Sequence, residues 1–330
     1  MASSNQLKAL LKSYMDGDDQ RFYSVAMQIA AHEAKIGHGK LAEELREMVD
    51  AAKKKAKSKS PIPISRPKGE LINLLTVSYP AIRLGQMVLS DLLTGQLERI
   101  VREQRHAQVI LSHGLSPRRK LLLIGPPGTG KTMSASVLAG ELGLPLFQVR
   151  MDALITKYMG ETAAKLRQIF ETTGQTRGVY LFDEFDTIGS QRGISNDVGE
   201  IRRVLNSFLQ MIEQDASHSI ILAATNHPEI LDYALFRRFD DVLQYTLPDK
   251  NQIAHLLQSR LAHKMADTAS WDELSEISSG LSYAEITRAA DEALKTVLIQ
   301  KRDHITVDDI RLTLVERQDI AKRLNGTLLK

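Results

Sequence analysis

The sequence predicts an α/β fold: a doubly wound parallel sheet of five core strands, preceded by a small helical module and followed by a helical subdomain. Three observations carry this. Between residues 121 and 247, short apolar runs of strand length alternate with amphipathic helical patterns, as parallel strands joined by crossover helices require. After Pro248 only helical spacing remains. Before residue 60 the apolar residues also recur only at helical spacing. The organisation that follows is 1–60 as N-terminal helical module, 61–84 as linker, 85–248 as large α/β subdomain and 249–330 as C-terminal helical subdomain.

Composition narrows the class. Hydrophobic residues make up 43% of the 330, enough for a sizeable core. Cysteine is absent, which excludes disulfides, thiolate zinc sites and a cysteine nucleophile. No apolar run approaches the ~18 residues of a membrane span, and the N-terminus has no leader pattern. A cytoplasmic location without membrane contact is expected. The net charge of +3 lies within residues 1–60, so the rest of the chain is neutral overall. Most of the excess is Lys53, Lys54, Lys55, Lys57 and Lys59. That run suits a solvated helix end entering a linker, or contact with nucleic acid or acidic protein.

In residues 5–57, Leu7, Leu10, Leu11, Tyr14 and Met15 recur at helical spacing. Phe22, Val25, Ala26 and Ile29 repeat it, then Leu41, Leu45, Met48, Val49 and Ala52. Breaks at Asp16–Asp19 and Gly37-His38-Gly39 divide this into a small antiparallel module, suited to docking a partner or serving as a structural appendage. Residues 53–69, KKKAKSKSPIPISRPKG, hold three prolines and few apolar positions and read as linker. Residues 70–79, ELINLLTVSY, fit a strand or a helix. A helical pattern runs from Val88 to Val109. Leu121–Ile124 is a buried strand, and Leu144–Arg150, Gly178–Phe185, Ile220–Asn226 and Val242–Leu247 supply the other four. Helices fall at 161–174 and Val198–Glu213, then at Asp249–Met265, Trp271–Ser279, Tyr283–Gln300 and Val307–Glu316.

Gly125-Pro126-Pro127-Gly128-Thr129-Gly130-Lys131-Thr132 fills every fixed position of G-x-x-x-x-G-K-S/T between a strand and an apolar helix. Glycines at the bends let backbone N–H groups reach phosphate oxygens. The helix starting here adds its positive dipole end. Lys131 offers a point charge to β/γ-phosphates and Thr132 a hydroxyl to Mg²⁺. The binding stretch runs on to Met133. Asp183 and Glu184 end an apolar strand, and adjacent carboxylates there suit a metal and a water. Asp183 would hold Mg²⁺ and Glu184 would polarise the attacking water. Asn226 ends the next strand, where an uncharged amide positions a water or the γ-phosphate. Arg237 and Arg238 stand together in a partly apolar stretch and suit an anion reached late in phosphoryl transfer. The residues alone do not say whose phosphate that is.

Together, residues 85–315 resemble an AAA+ ATPase of the AAA clade proper, built on the P-loop NTPase fold. GPPGTGKT is similar to that family's Walker A and LFDE to its Walker B. ATN resembles sensor 1, with Asn226 as the matching residue. LDYALFRRFD resembles the second region of homology, which carries arginine fingers. The resemblance implies ATP and Mg²⁺ as cofactors and hydrolysis of ATP. It also implies a homo-oligomeric ring, usually a hexamer, with ATP at each subunit boundary. Arg237 and Arg238 would then face the neighbour's γ-phosphate. Family members often read R-x-G-R-F-D; this chain reads R-R-F-D, which leaves the principal finger open between the two. Gly280-Leu-Ser282-Tyr283-Ala284-Glu285-Ile286 resembles the family's G-x-S-G-A-D/E-L/I segment, with Tyr283 in place of Gly. Ser282 and Glu285 form a capping box. The resemblance implies a backbone contact to nucleotide near Gly280 and Ala284. Arg288 is open between a second sensor arginine and a solvated helix face.

Lys157-Tyr158-Met159-Gly160 bears most on mechanism. An exposed Tyr-Met pair before a glycine, between strand and helix, has no core pattern to join. The family places its first pore loop here, lining a central channel that grips unfolded polypeptide, and Tyr and Met surfaces suit that sequence-tolerant contact. The other reading packs this loop on the subdomain. A second pore loop falls at Gly193–Asp197. The layout resembles bacterial stand-alone AAA ATPases encoded beside a subtilisin-like serine protease, associated with plasmid incompatibility and phage defence, which implies a partner protease. The expected function is an ATP-driven motor that remodels or unfolds protein substrates through a central pore. The lysine run keeps a DNA-directed AAA+ loader or motor as the alternative. A nucleotide-dependent scaffold would have no use for Glu184, Asn226 and both arginines.

Overall fold

The computed structural model describes residues 19–40, 42–47, 49, 71–155, 159–185, 198–230, 236–265 and 271–328. The chain forms two compact units, Met1–Ile64 and Ser65–Lys330. In the first, helix α1 (Asp19–Lys35) stops before Gly37, which takes φ 89°. Val25, Ile29 and Ala30 are buried, as are Ala42 and Val49. His38 Nδ1 lies 2.7 Å from Oε2 of the buried Glu33. The Lys53–Lys59 run lies outside the described residues.

The second unit opens with the segment that fits either helix or strand, and it is both. One turn, α2 (Leu71–Leu74), leads into strand β1 (Leu75–Ser78). A 3₁₀ turn (Leu84–Gln86), α3 (Asp91–Arg105) and α4 (Ala107–Ser112) follow. Ser90 caps α3 by accepting from Leu93 N–H. Then β2 (Lys120–Ile124), α5 (Lys131–Leu142), β3 (Leu146–Val149), α6 (Met151–Leu154) and α7 (Met159–Gln175) alternate. The alternation ends with β4 (Val179–Phe182), α8 (Val198–Gln214), β5 (Ile220–Thr225) and β6 (Asp241–Gln244).

The sheet order is β1-β3-β4-β5-β2-β6. It has six strands rather than the five expected, because β1 adds antiparallel to β3, Leu75 opposite Val149. The other five are parallel. β4 and β5 are buried along their whole length, which is why their sequences are continuous apolar runs. Phe147 stacks on Tyr180 at 4.6 Å, and Phe182 meets Phe208 of α8 edge-on at 4.9 Å. Register decides what the sheet presents. Ile124 pairs with Thr225 and Phe182 with Ala223, so β2, β4 and β5 deliver their carboxyl ends to one edge. Open α/β sheets bind their ligands there.

After β6 the chain is helical: α9 (Lys250–Leu261), α10 (Trp271–Ile277), α11 (Tyr283–Ile299) and α12 (Val307–Leu328). These helices close their own core around Leu257, Leu274, Ile286, Ala290, Ile310 and Leu314. α12 continues past Glu316, tied by Arg317 to Glu292 of α11 and by Gln318 donating to the Ile277 carbonyl. Among the described residues no helix is long and apolar enough to cross a membrane.

Candidate active site

β2 runs into the glycine-rich loop and α5 leaves it. Gly125, Gly128 and Gly130 take φ of 143°, 74° and 103°, so the main chain bends where side chains would intrude. Lys131 is buried, and its Nζ donates to the carbonyls of Gly125 (2.6 Å) and Pro126 (2.8 Å). Thr129 Oγ1 donates to the Pro126 carbonyl at 2.7 Å. The loop is therefore cinched by its own side chains, with its open side at the start of α5. There Thr132 Oγ1 donates to Asp183 Oδ2 at 2.6 Å.

Glu184 follows Asp183 at φ 51°, a left-handed conformation that non-glycine residues seldom adopt. Its N–H donates to Asp183 Oδ1 at 3.1 Å. Strain of this kind costs on the order of 1–3 kcal/mol and persists where the surroundings over-determine it. Asn226 leaves β5 directly after Thr225, whose hydroxyl accepts from His227 N–H at 2.9 Å.

One cleft of about 540 Å³ gathers Pro127 to Met133, Asp183, Glu184 and Asn226. It also takes in residues that sequence reasoning passed over. Gln86, Met87 and Val88 come from the segment before α3, and Leu256, Ser259, Arg260, Tyr283 and Thr287 from the C-terminal helices. Ala284 and Arg288 line it too, with Arg288 exposed. Gly125 and Pro126 stand behind the loop as acceptors for Lys131, and Gly280 is not part of the lining. α11 begins on the loop: Ala284 N–H donates to the Gly128 carbonyl at 3.1 Å. The Tyr283 hydroxyl donates to Gln252 at 2.9 Å, and burial holds that phenol up at about 12. From the other side Tyr245 reaches the buried Ser134 at 2.7 Å, and Ser134 Oγ donates to the Gly130 carbonyl at 3.1 Å. Burial raises the Tyr245 phenol far above its usual range, so it is a permanent donor.

These residues fit a nucleotide with its metal. A loop of bent glycines, a buried lysine and a helix N-terminus form an anion cradle. Among the described residues no cluster of three or more His, Asp or Glu could hold a metal alone. Mg²⁺ needs only one or two protein ligands when phosphates and water complete the shell, and the Thr132–Asp183 pair meets that need.

Neither Arg237 nor Arg238 lines this cleft. Arg237 is exposed, and Arg238 pairs with Glu213 of α8. Lys157 and Tyr158 lie outside the described residues, as do Gly193–Asp197 and the side chain of Met159. Gly160 is exposed in the first turn of α7.

Comparison with known proteins gives the family. Residues 121–247 match the ATPase family associated with various cellular activities (AAA). A Sinorhizobium fredii protein named Uncharacterized AAA family ATPase y4kL is 37% identical over 333 residues, covering 99% of this chain and 98% of that relative. The ATP-dependent zinc metalloprotease FtsH 3 of Sphaerobacter thermophilus is 34% identical over 65% of this chain, which spans 45% of that relative. Protein SAV of Sulfolobus acidocaldarius is 32% identical over 68% of this chain and 30% of its own length. With a relative matched along nearly its whole length and the loop, the acids and the lid formed by the C-terminal helices α9–α12 gathered at one sheet edge, the chain belongs to the AAA family and is an ATPase.

Proposed function

We propose that this ATPase works as a homo-oligomeric ring, a hexamer in its simplest form, and that hydrolysis drives remodelling of a protein threaded through the central channel. The position of the arginine pair carries the ring. The cleft has its own lysine, acids and amide, yet Arg237 and Arg238 stand outside it, Arg237 exposed. An arginine beside the γ-phosphate lowers the barrier of phosphoryl transfer strongly. A second subunit that brings the Arg237–Arg238 pair to this cleft completes the site, with either arginine as the principal finger.

Within each cleft, the backbone from Gly125 to Met133 cradles the phosphates, and Lys131 supplies the point charge. Thr132 and Asp183 hold Mg²⁺, which neutralises phosphate charge when bound. Glu184, aimed by its left-handed backbone, takes the proton of the attacking water, and Asn226 orients that water. The backbone near Gly280 and Ala284 contacts the nucleotide from the C-terminal helices. Tyr158, directly ahead of α7, and Met159, its first residue, are the gripping residues, which is a reading of sequence alone.

Two experiments test this. Arg237→Ala/Arg238→Ala subunits mixed with Lys131→Ala subunits should recover turnover that neither has, since each supplies what the other lacks. Activity independent of protein concentration in a monomer would defeat the ring. Tyr158→Ala should keep basal ATPase within a few-fold and lose client processing. Normal processing by that variant, with many-fold stimulation of the wild type by DNA, would hand the function to a DNA motor.

A further inference from the structure

The segment Pro80–Val88 is a strap laid across α5, the helix that begins at the phosphate loop. It crosses at Gly140, where a Cβ would collide with the Ile82 carbonyl and come within 3.2 Å of the Pro80 carbonyl. Polar contacts fasten the crossing. Glu141 Oε1 accepts from Leu84 N–H at 3.0 Å. Its Oε2 accepts from Arg105 Nη2 at 2.7 Å and lies 3.7 Å from Arg83 Nη1. Arg83 Nη1 also donates to the Gly140 carbonyl at 2.5 Å, and Arg105 to the Glu141 carbonyl at 3.0 Å. The Glu141 side chain is 18% exposed, against 57% and 53% for the two arginines. It is the inner member of the cluster.

Beyond the crossing, the 3₁₀ turn hands Gln86, Met87 and Val88 to the cleft. Met87 Sδ sits 3.9 Å from Ser134 Oγ, and its methyl lies 3.2 Å from where a Gly130 Cβ would stand. The strap is thus registered against the loop by the same helix. Lys131 is at the start of that helix and Glu141 near its end, about 15 Å along the axis. The loop groups suit phosphates. Met87, Val88 and Leu256 are apolar and suit the flat face of a base.

We propose that Glu141 is a positioning residue for nucleotide binding: by stapling the strap to α5 it holds the wall on which the base packs, and so sets affinity for the nucleoside half of ATP. This rests on the cleft being the nucleotide site.

The test compares ADP with inorganic tripolyphosphate, which has the phosphates and no base, by calorimetry on the full chain. Glu141→Ala should weaken ADP about tenfold, the loss of one charge-assisted hydrogen bond, and leave tripolyphosphate unchanged. In steady state the KM for ATP should rise by a similar factor while kcat stays within about twofold. Glu141→Gln keeps an acceptor for Leu84 N–H and should fall between wild type and alanine. Gly140→Ala lifts the strap by steric contact alone and should reproduce the pattern if Glu141→Ala folds poorly. Equal weakening of ADP and tripolyphosphate, or an unchanged KM in both Glu141→Ala and Gly140→Ala, would overturn the proposal. Lys131→Ala separates the two claims. If it binds ADP like wild type, the nucleotide-site reading fails first.

Discussion

Substituting Gly128 by alanine probes the contact on which loop and lid depend. Gly128 has φ 74°, and an L-residue there costs about 1–2 kcal/mol. The new methyl would stand 2.6 Å from Ser282 Oγ and 3.1 Å from the Ala284 methyl. Ser282 cannot simply turn away. Its hydroxyl caps α11, accepting from Glu285 N–H at 3.3 Å and donating to Glu285 Oε2 at 2.8 Å. Losing such a cap costs about 1 kcal/mol. Parting the surfaces instead gives up the Ala284-to-Gly128 hydrogen bond, again about 1 kcal/mol. The sum is about 2–3 kcal/mol, which is about 30- to 150-fold in affinity if the docked lid is the binding form. The lid helices and the sheet have separate cores, so the chain should stay folded. Calorimetric titration with ADP beside a far-ultraviolet dichroism spectrum checks both halves. Ser282→Gly removes the crowding at a cost of a few tenths of a kcal/mol to the cap, and should restore part of the affinity in the double variant. ADP affinity unchanged in Gly128→Ala, or no coupling with Ser282→Gly, would refute the reasoning.

Lys131→Ala should abolish nucleotide binding, whereas Glu184→Gln should bind ATP and stop turning over, seen by comparing ATP affinity with phosphate release. Tyr245→Phe removes the donor to Ser134 and should cost about 1 kcal/mol, lowering the melting temperature by about 2–4 °C. Arg302 grips Asp309 through both oxygens at 2.7 and 2.8 Å and holds its carboxyl far below the usual range. A depressed carboxylate stabilises the fold above its unfolded pKa of about 4 and loses that contribution as pH falls through the folded value. Asp309→Asn should therefore melt below wild type near neutral pH, with the gap closing in strong acid, measured by thermal melts across pH.

The sequence exposed what a local rule can fix. Continuous apolar runs located β2, β4 and β5 because both faces of these strands are buried. The glycine spacing located the loop because its bends at Gly125, Gly128 and Gly130 need positive φ, which glycine adopts without a steric penalty. Register, by contrast, is a property of pairs of strands, so the direct hydrogen bond between Thr132 and Asp183, both expected at Mg²⁺, needed the sheet. β1 was ambiguous because a four-residue strand beside a four-residue helical turn has no period to read. The end of α12 was missed because Arg317 and Gln318, just past Glu316, are tied to other helices by polar contacts, which carry no helical period. The strap was invisible for the same reason. Its fastening is a carboxylate and two arginines drawn from three places in the chain, and none of them carries a motif.

β6 shows how much of the site lies in such long-range contacts. This edge strand starts just after the arginine pair and ends at the phosphate loop. At its start Asp240 Oδ2 accepts from the N–H groups of Arg119 and Lys120, both at 2.9 Å, and Asp240 N–H donates to the Lys120 carbonyl at 2.7 Å. At its end Tyr245 N–H donates to the Ile124 carbonyl at 2.8 Å, its backbone fills the space a Gly125 side chain would need, and its hydroxyl reaches Ser134 in α5. Between these points the pairing with β2 runs unbroken from Leu121–Asp241 to Ile124–Gln244. A strand pinned at both ends and paired along its length moves as one piece, because close-packed interiors transmit displacement instead of absorbing it. Arg238 stands two residues before the first pin. The segment that presents arginines outside the chain's own cleft is therefore braced against the same loop that, on the proposed reading, holds that cleft's phosphates.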